Sequence, residues 1–174
     1  MTRHMRRLRF VSLAIAGLAL AMTAAPRAAA QDMGIKVGAT APRAAVEAMD
    51  GTPMDLAEFY GDKPVVLEFW ATWCPLCRQL EPALQVAREK YDGRVTFVSV
   101  GVPANQTPER QLAHAAKQKI GGAFVFDRDG KATAAFSVPH TSYIVVIDRN
   151  RNVVYTGVGG TQDIEAALKK AALE

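Results

Sequence analysis

The chain has 174 residues, 49% of them hydrophobic and 22% charged, with a formal net charge of +4. Residues 1–30 hold five of the 21 Lys and Arg and none of the 17 Asp and Glu, so the other 144 residues carry 16 basic and 17 acidic side chains, a net charge of −1. The charge therefore gives no indication of nucleic-acid binding, and 144 residues suit one domain with one hydrophobic core.

The first 30 residues predict a secretory signal peptide. Four arginines within MTRHMRRLRF precede the apolar run VSLAIAGLALAM, and the alanines at 28–30 offer an A-x-A cleavage site. An apolar run of about a dozen residues is short for a membrane span. We therefore expect an exported protein that is periplasmic after cleavage, not integral to the membrane, with its domain at residues 31–174.

The first half of that domain begins with turn residues and continues with a strand, a helix and a second strand. Asp50-Gly51 predicts a hairpin turn. PVVLEFW (64–70) and VTFVSVGV (95–102) are short apolar runs typical of buried strands. The helix between them has apolar residues at helical spacing and contains Pro82, which we expect to kink it.

The second half adds a helix, three strands and a last helix. Thr107 is the expected N-cap of an amphipathic helix over 108–119. Strands follow at 123–127, 142–148 and 153–157, the last two as a hairpin, and a final helix begins near Asp163. After the first hairpin the order is β-α-β-α-β-β-β-α, which predicts an α/β domain of three layers.

Cys74 and Cys77, in WATWCPLC (70–77), are the only two cysteines of the chain. Two thiols at this spacing can exchange electrons as a disulfide or bind a soft metal ion. A disulfide between them would contribute little to the stability of the fold, because it closes almost no loop. Export places them outside the reducing cytosol, where a disulfide persists. The pair by itself leaves the redox and metal roles open.

The context of this motif resembles the thioredoxin superfamily. VVLEFWATWCPLCRQLEPAL is a strand that runs into W-C-x-x-C at a helix start. The preceding VGATAP…MDGTPMDLAEFYGDKP and the additional helix and strand at 107–136 are similar to the TlpA/ResA branch of exported thiol-disulfide oxidoreductases. The resemblance implies a thioredoxin-like three-layer α/β fold, with a central mixed β-sheet flanked by helices, an N-terminal extension and a central helix-strand insertion.

The position of the motif at a helix start also indicates which cysteine is the nucleophile and which one resolves the mixed disulfide. Pro75 suits the first helical turn, where its missing N–H costs nothing. The N-terminus of a helix stabilises a thiolate, so the pKa of Cys74 should lie below the free value of about 8.5. Cys74 is then the nucleophile, and Cys77 resolves the mixed disulfide. Trp73 is expected either to cover the sulfurs or to pack as a partly buried aromatic residue.

Glu68 lies six residues before Cys74 on a predicted buried strand. The resemblance places the buried acid of thioredoxin at this position, where a carboxyl group with a raised pKa would pass protons to or from Cys77. The alternative is a Glu side chain that faces solvent or a salt bridge. Glu81, next to Pro82, is expected to be a solvated helix residue.

The chain departs from the family where a cis-proline normally faces the C-x-x-C motif. Counting back from Asp148 places Ser142 there, and Pro139 lies three residues too early. VPHTSYIVVID is instead similar to the segment of Sco-type copper proteins that supplies a His to two cysteines. The expected docking loop therefore comprises Trp73, Pro75, His140, Thr141 and Ser142.

We expect an exported thiol-disulfide oxidoreductase that requires no cofactor and acts on protein substrates, in cytochrome or copper-site maturation. We also expect a membrane-embedded electron donor, a monomeric state and no nucleic-acid partner. The alternative is a Sco-like metallochaperone that holds copper with Cys74, Cys77 and His140. Two thiolates and one imidazole suit Cu(I), although the Sco cysteines are spaced C-x-x-x-C.

Overall fold

The computed structural model describes residues 33–171, so the predicted signal peptide lies outside the described residues. Seven strands form one mixed sheet in the order β2-β1-β5-β4-β3-β6-β7. The strands are β1 (Ala45–Ala48), β2 (Pro53–Asp55), β3 (Val65–Trp70), β4 (Thr96–Gly101), β5 (Ala123–Phe126), β6 (Tyr143–Ile147) and β7 (Val153–Val158). The helices are α1 (Pro75–Lys90), α2 (Pro108–Gln118), α3 (Lys131–Ala135) and α4 (Ile164–Lys169), and a short 3₁₀ helix spans Leu56–Phe59.

The centre of the sheet is parallel and its edges are antiparallel. β3, β4 and β5 run parallel to one another, joined by the crossovers that carry α1 and α2. β6 pairs antiparallel with β3, and β7 pairs antiparallel with β6. On the other side, β1 pairs antiparallel with β5 and with β2. The mixed sheet and its flanking helices confirm the predicted fold.

Apolar side chains cover both faces of the sheet. Val66 of β3 belongs to one buried cluster, together with Leu84 of α1 and Leu168 of α4. The next residue, Leu67, belongs to a second cluster with Phe136, which follows α3. Successive side chains of a strand point to opposite faces, so the sheet lies between two packed layers. This arrangement is the predicted three-layer architecture.

The predicted elements are present, and α3 is an additional element between β5 and β6. α1 begins at Pro75, the residue expected in its first turn, and continues through Pro82 to Lys90. α4 ends at Lys169. The turn after β5 leads into α3, because buried Asp127 accepts hydrogen bonds from the backbone N–H groups of Ala132 and Thr133 at 3.0 and 2.7 Å. Within residues 33–171, no helix is both long enough and apolar enough to cross a membrane.

Candidate active site at the start of helix α1

Cys74 and Cys77 form a disulfide at the N-terminus of α1, with their Cα atoms 5.3 Å apart. Cys74 is the N-cap residue, and its Sγ accepts a hydrogen bond from the backbone N–H of Cys77 at 3.0 Å. Pro75 occupies the first helical turn, as predicted. The two cysteines are only 1% and 4% exposed. Because helix N-termini stabilise negative charge, this geometry favours a thiolate on Cys74 after reduction.

The loop before Cys74 is held by a backbone carbonyl and a side chain of the segment after β4. Trp73 remains 43% exposed, and its Nε1 donates a hydrogen bond to the carbonyl of Ala104 at 2.7 Å. Gln106 is buried; its Oε1 accepts from Thr72 N at 3.0 Å and its Nε2 donates to the carbonyl of Trp70 at 3.3 Å. Gln106 therefore positions the disulfide loop, a role that the sequence analysis missed.

Glu68 is a buried residue of β3, as the resemblance implied. It lies in register with Ser99 of β4 and Ile144 of β6. Burial is the main cause that raises the pKa of Glu68 to about 8, and the negative charge of Glu81 adds to it, while the positive charge of Arg88 opposes the rise. Glu68 is therefore mostly protonated at neutral pH, yet close enough to ionisation to exchange a proton.

A cavity of about 260 Å³ joins Glu68 to the disulfide. Its walls include Glu68, Trp70, Cys77, Arg78, Glu81 and His114. The ring of His114 lies 5.9 Å from that of Trp70, and burial with the nearby Arg78 lowers the pKa of His114. The cavity gives Glu68 and Cys77 a shared space in which water can carry a proton between them.

Glu81 is an ion-pair partner, so the expectation of a solvated side chain is wrong. Its Oε1 lies 2.5 Å from Nη1 of Arg88, and the two side chains are 18% and 11% exposed. Arg88 also places Nη2 3.9 Å from Oε2 of Glu68. Glu81 and Arg88 are seven residues apart on α1, a spacing that puts two side chains on one helix face. That spacing was a signal available in the sequence.

Ser142 immediately precedes β6 and fixes the loop expected to hold the family's cis-proline. It is buried and has a left-handed backbone, with φ at 62°; all peptide bonds of the described residues are trans. Its N–H donates to the carbonyl of Phe69 at 2.9 Å, and its Oγ donates to the carbonyl of Gly159 at 3.0 Å. Its own carbonyl accepts from Gln162 Nε2 at 3.1 Å. Ser142 thus joins the ends of β3, β6 and β7.

His140 is exposed, and Thr141 is intermediate in burial, in the loop that leads to Ser142. Among residues 33–171, no three His, Cys, Asp or Glu side chains are grouped closely enough to hold a metal ion. The residues present therefore do not form a ready site for the copper ion that the Sco-like segment implied. We derive no step through copper.

Comparisons with known proteins agree with this geometry. The redoxin family model matches residues 36–171. The thiol-disulfide oxidoreductase ResA of Geobacillus kaustophilus is 29% identical over 140 residues, which are 78% of this chain and 78% of ResA. The soluble secreted antigen MPT53 of Mycobacterium tuberculosis is 34% identical over 115 residues, 66% of this chain and 60% of that relative.

A solved structure shares the fold. A protein from Chlorobium tepidum described as the thiol:disulfide interchange protein DsbE superposes with a TM-score of 0.67 at 27% identity, covering 80% of this chain and 96% of its own. The chain spans about half the length of one curated relative (48%) and 60% of MPT53. The family model, in contrast, covers nearly all of the described residues. The protein belongs to the redoxin family, with thioredoxin-like relatives of the TlpA/ResA type.

Proposed function

We propose that the protein is an exported thiol-disulfide oxidoreductase that exchanges its Cys74–Cys77 pair with disulfides and thiols of other proteins. The observation that carries this proposal is the position of the pair at the N-terminus of α1, where the N–H of Cys77 donates to the Sγ of Cys74. The sulfur that attacks a substrate must be a thiolate, and this position stabilises one.

In the reducing direction, the protein gives two electrons to a substrate disulfide. The Cys74 thiolate attacks a substrate disulfide, a Cys74–substrate disulfide forms, and one substrate thiolate leaves. In the fraction of molecules in which Glu68 is ionised, the Cys77 thiol gives its proton to the Glu68 carboxylate, and the resulting thiolate attacks Sγ of Cys74. The second substrate thiolate leaves, and the products are the protein disulfide, a protonated Glu68 and two substrate thiolates that take up protons from water. The oxidising direction is the reverse of these steps.

Exposed apolar side chains beside the disulfide support a protein substrate. Trp73 and Leu76 are 43% and 42% exposed on either side of Cys74 and Pro75. Apolar side chains that remain open to solvent around a reactive pair provide a surface for a partner chain. Export is supported by the signal-like first 30 residues and by the secreted relative MPT53. Maturation of cytochromes or copper sites, with electrons from a membrane-embedded donor, is the physiological setting that we propose.

Trapping of the mixed disulfide tests this function. A Cys77→Ser variant should accumulate a Cys74-linked adduct with a disulfide-containing peptide, because the resolving thiol is missing. Cys74→Ser is the matched control, and it should not accumulate the adduct. The unmodified protein should reduce insulin disulfides with dithiothreitol as electron source. Equal adduct yields from the two variants, or no turnover, would contradict the proposal. Applied to extracts, the same trap identifies the substrate by mass spectrometry.

A further inference from the structure

Arg88 stands between two carboxyl groups beside the cavity. Nη1 contacts Oε1 of Glu81 at 2.5 Å, and Nη2 lies 3.9 Å from Oε2 of Glu68. The third nitrogen, Nε, is buried and has no hydrogen-bond partner in the described part of the chain. The guanidinium group of Arg88 thus binds Glu81 and still has N–H donors that are not hydrogen-bonded to Glu68. An arginine offers five N–H donors in a planar fork, so it can serve two acids at once.

The charges of this cluster change during the proposed cycle. With Glu68 protonated, the positive Arg88 and the negative Glu81 cancel. When Glu68 loses its proton, the cluster gains one uncompensated negative charge in a buried place, which is costly unless donors approach it. Arg88 is the cation in salt-bridge range of Glu68. The strength with which Arg88 holds Glu81 therefore affects how easily Glu68 ionises.

We propose that Arg88 is a positioning residue for proton transfer at Cys77, and that Glu81 competes with Glu68 for its charge. In the protonated state of Glu68 the guanidinium remains with Glu81. When Glu68 is ionised, Nη2, which lies 3.9 Å from Oε2, and the unpartnered Nε are the donors that Arg88 has for the carboxylate. The proposal deepens the proposed function, because it rests on Glu68 as the proton acceptor of Cys77.

The other groups that face Glu68 do not replace Arg88 in this role. From α1, Cys77 and Arg78 share its cavity, and the Arg78 guanidinium reaches towards the carbonyl of Thr72 at 3.5 Å. From α2, burial and the nearby Arg78 lower the pKa of His114, which favours its uncharged form. From the sheet, Ser99 is a neutral neighbour and Ile144 is apolar. Glu81 and Arg88 are thus the opposing charges whose effects on Glu68 can be separated.

Two substitutions should move the titration of Glu68 in opposite directions. Glu81→Gln removes the negative charge and frees Arg88, so Glu68 should ionise at lower pH. Arg88→Gln removes the positive charge and leaves Glu81 uncompensated, so Glu68 should ionise at higher pH. Arg88→Lys retains the charge and should restore most of the parent behaviour. A merely structural role would shift both Gln variants in the same direction.

The experiment follows the carboxyl carbon of Glu68 by NMR in the oxidised, full-length protein labelled at glutamate, with Glu68→Gln to assign the signal. We expect midpoints about one pH unit below the parent in Glu81→Gln and about one unit above it in Arg88→Gln, the usual effect of one adjacent charge. Glu47→Gln and Arg128→Gln are matched controls, because this ion pair joins β1 to the end of β5 outside the cavity. These two should leave the midpoint unchanged.

Shifts of the same sign, or no shift in Glu81→Gln, would overturn the proposal. If Arg88→Gln does not fold, Glu81→Gln and Arg88→Lys decide the question by themselves. A second readout is the pH profile for release of a peptide from its Cys74 mixed disulfide, which should move with the NMR midpoint. If Glu68→Gln releases the peptide as fast as the parent at every pH, the proton-relay function fails, whereas the NMR shifts still report whether Arg88 and Glu81 control Glu68.

Discussion

Glu68 and Cys77 line the same cavity from two different elements, Glu68 from the middle of β3 and Cys77 from the first turn of α1. The strand-to-helix turn that carries Cys74 brings them together, although they are nine positions apart in sequence. Cys77 is buried, so bulk water has little access to its thiol. A carboxyl group with a pKa of about 8 in the same cavity is suited to receive it.

The first prediction concerns stability as a function of pH in Glu68→Gln. The pKa of Glu68 rises from 4.5 to about 8 in the folded protein, so folding favours its protonated form. The contribution of protonated Glu68 to the free energy of unfolding of the parent is fully present below about pH 4.5. It declines as the pH rises to 8, by up to about 1.4 kcal/mol per pH unit. The Gln side chain does not titrate, so the variant should gain free energy of unfolding relative to the parent over this range.

Urea unfolding of both proteins with the disulfide intact, at about pH 5 and pH 8, measures this difference. Glu47→Gln is the control, because its ion pair with Arg128 lies on the surface. A difference between Glu68→Gln and parent that stays constant with pH would mean that Glu68 is already ionised in the folded protein.

The second prediction concerns the reactivity of the reduced thiols. Cys74 caps α1 and accepts the N–H of Cys77, so the pKa of the Cys74 thiol should be below the free value of about 8.5. Alkylation of Cys77→Ser by iodoacetamide should therefore proceed with an apparent pKa below that value. Cys74→Ser retains only Cys77, which lies inside the first turn of α1 and not at the N-cap, so it should react more slowly near neutral pH. Faster alkylation of Cys77 than of Cys74 would show that the nucleophile is assigned wrongly.

The third prediction is that the family's proline cannot be restored at position 142. Proline fixes φ near −65° and has no N–H, whereas Ser142 has φ at 62° and donates its N–H to Phe69. Ser142→Pro should lower the free energy of unfolding by about 3 kcal/mol or more. Ser142→Gly retains the N–H and accepts a left-handed φ, so it should change stability by no more than about 1 kcal/mol.

Chemical denaturation of the oxidised variants measures both changes. A Ser142→Pro variant as stable as the parent would imply that this loop rearranges. Insulin reduction by the same pair of variants separates folding from activity, because Ser142→Gly should keep most of the turnover.

The sequence predicted the order of the elements along the chain and the position of Cys74 at a helix start, and the family resemblance implied the burial of Glu68, because each depends on short-range patterns or on the family motif. It did not predict α3, since a helix of five residues is too short to show a helical period and its first N–H groups bond to buried Asp127 in the preceding turn. Gln106 was missed because its bonds to the disulfide loop span 34 and 36 positions. Arg88 lies two turns after Glu81, and their ion pair follows only from the two positions taken together, not from the acid beside Pro82 alone.

The last prediction concerns copper. A titration of the reduced protein with Cu(I) against a competing chelator, beside His140→Ala, should give affinities that agree within about twofold. The reason is that His140 is exposed and that residues 33–171 contain no group of three possible ligands. Loss of a residue that merely supports a metal ligand costs about 10–100-fold in affinity, and loss of a ligand should cost at least as much. Tight binding that disappears in His140→Ala would instead favour the Sco-like metallochaperone, since the loop of VPHTSY would then have to close over both thiolates.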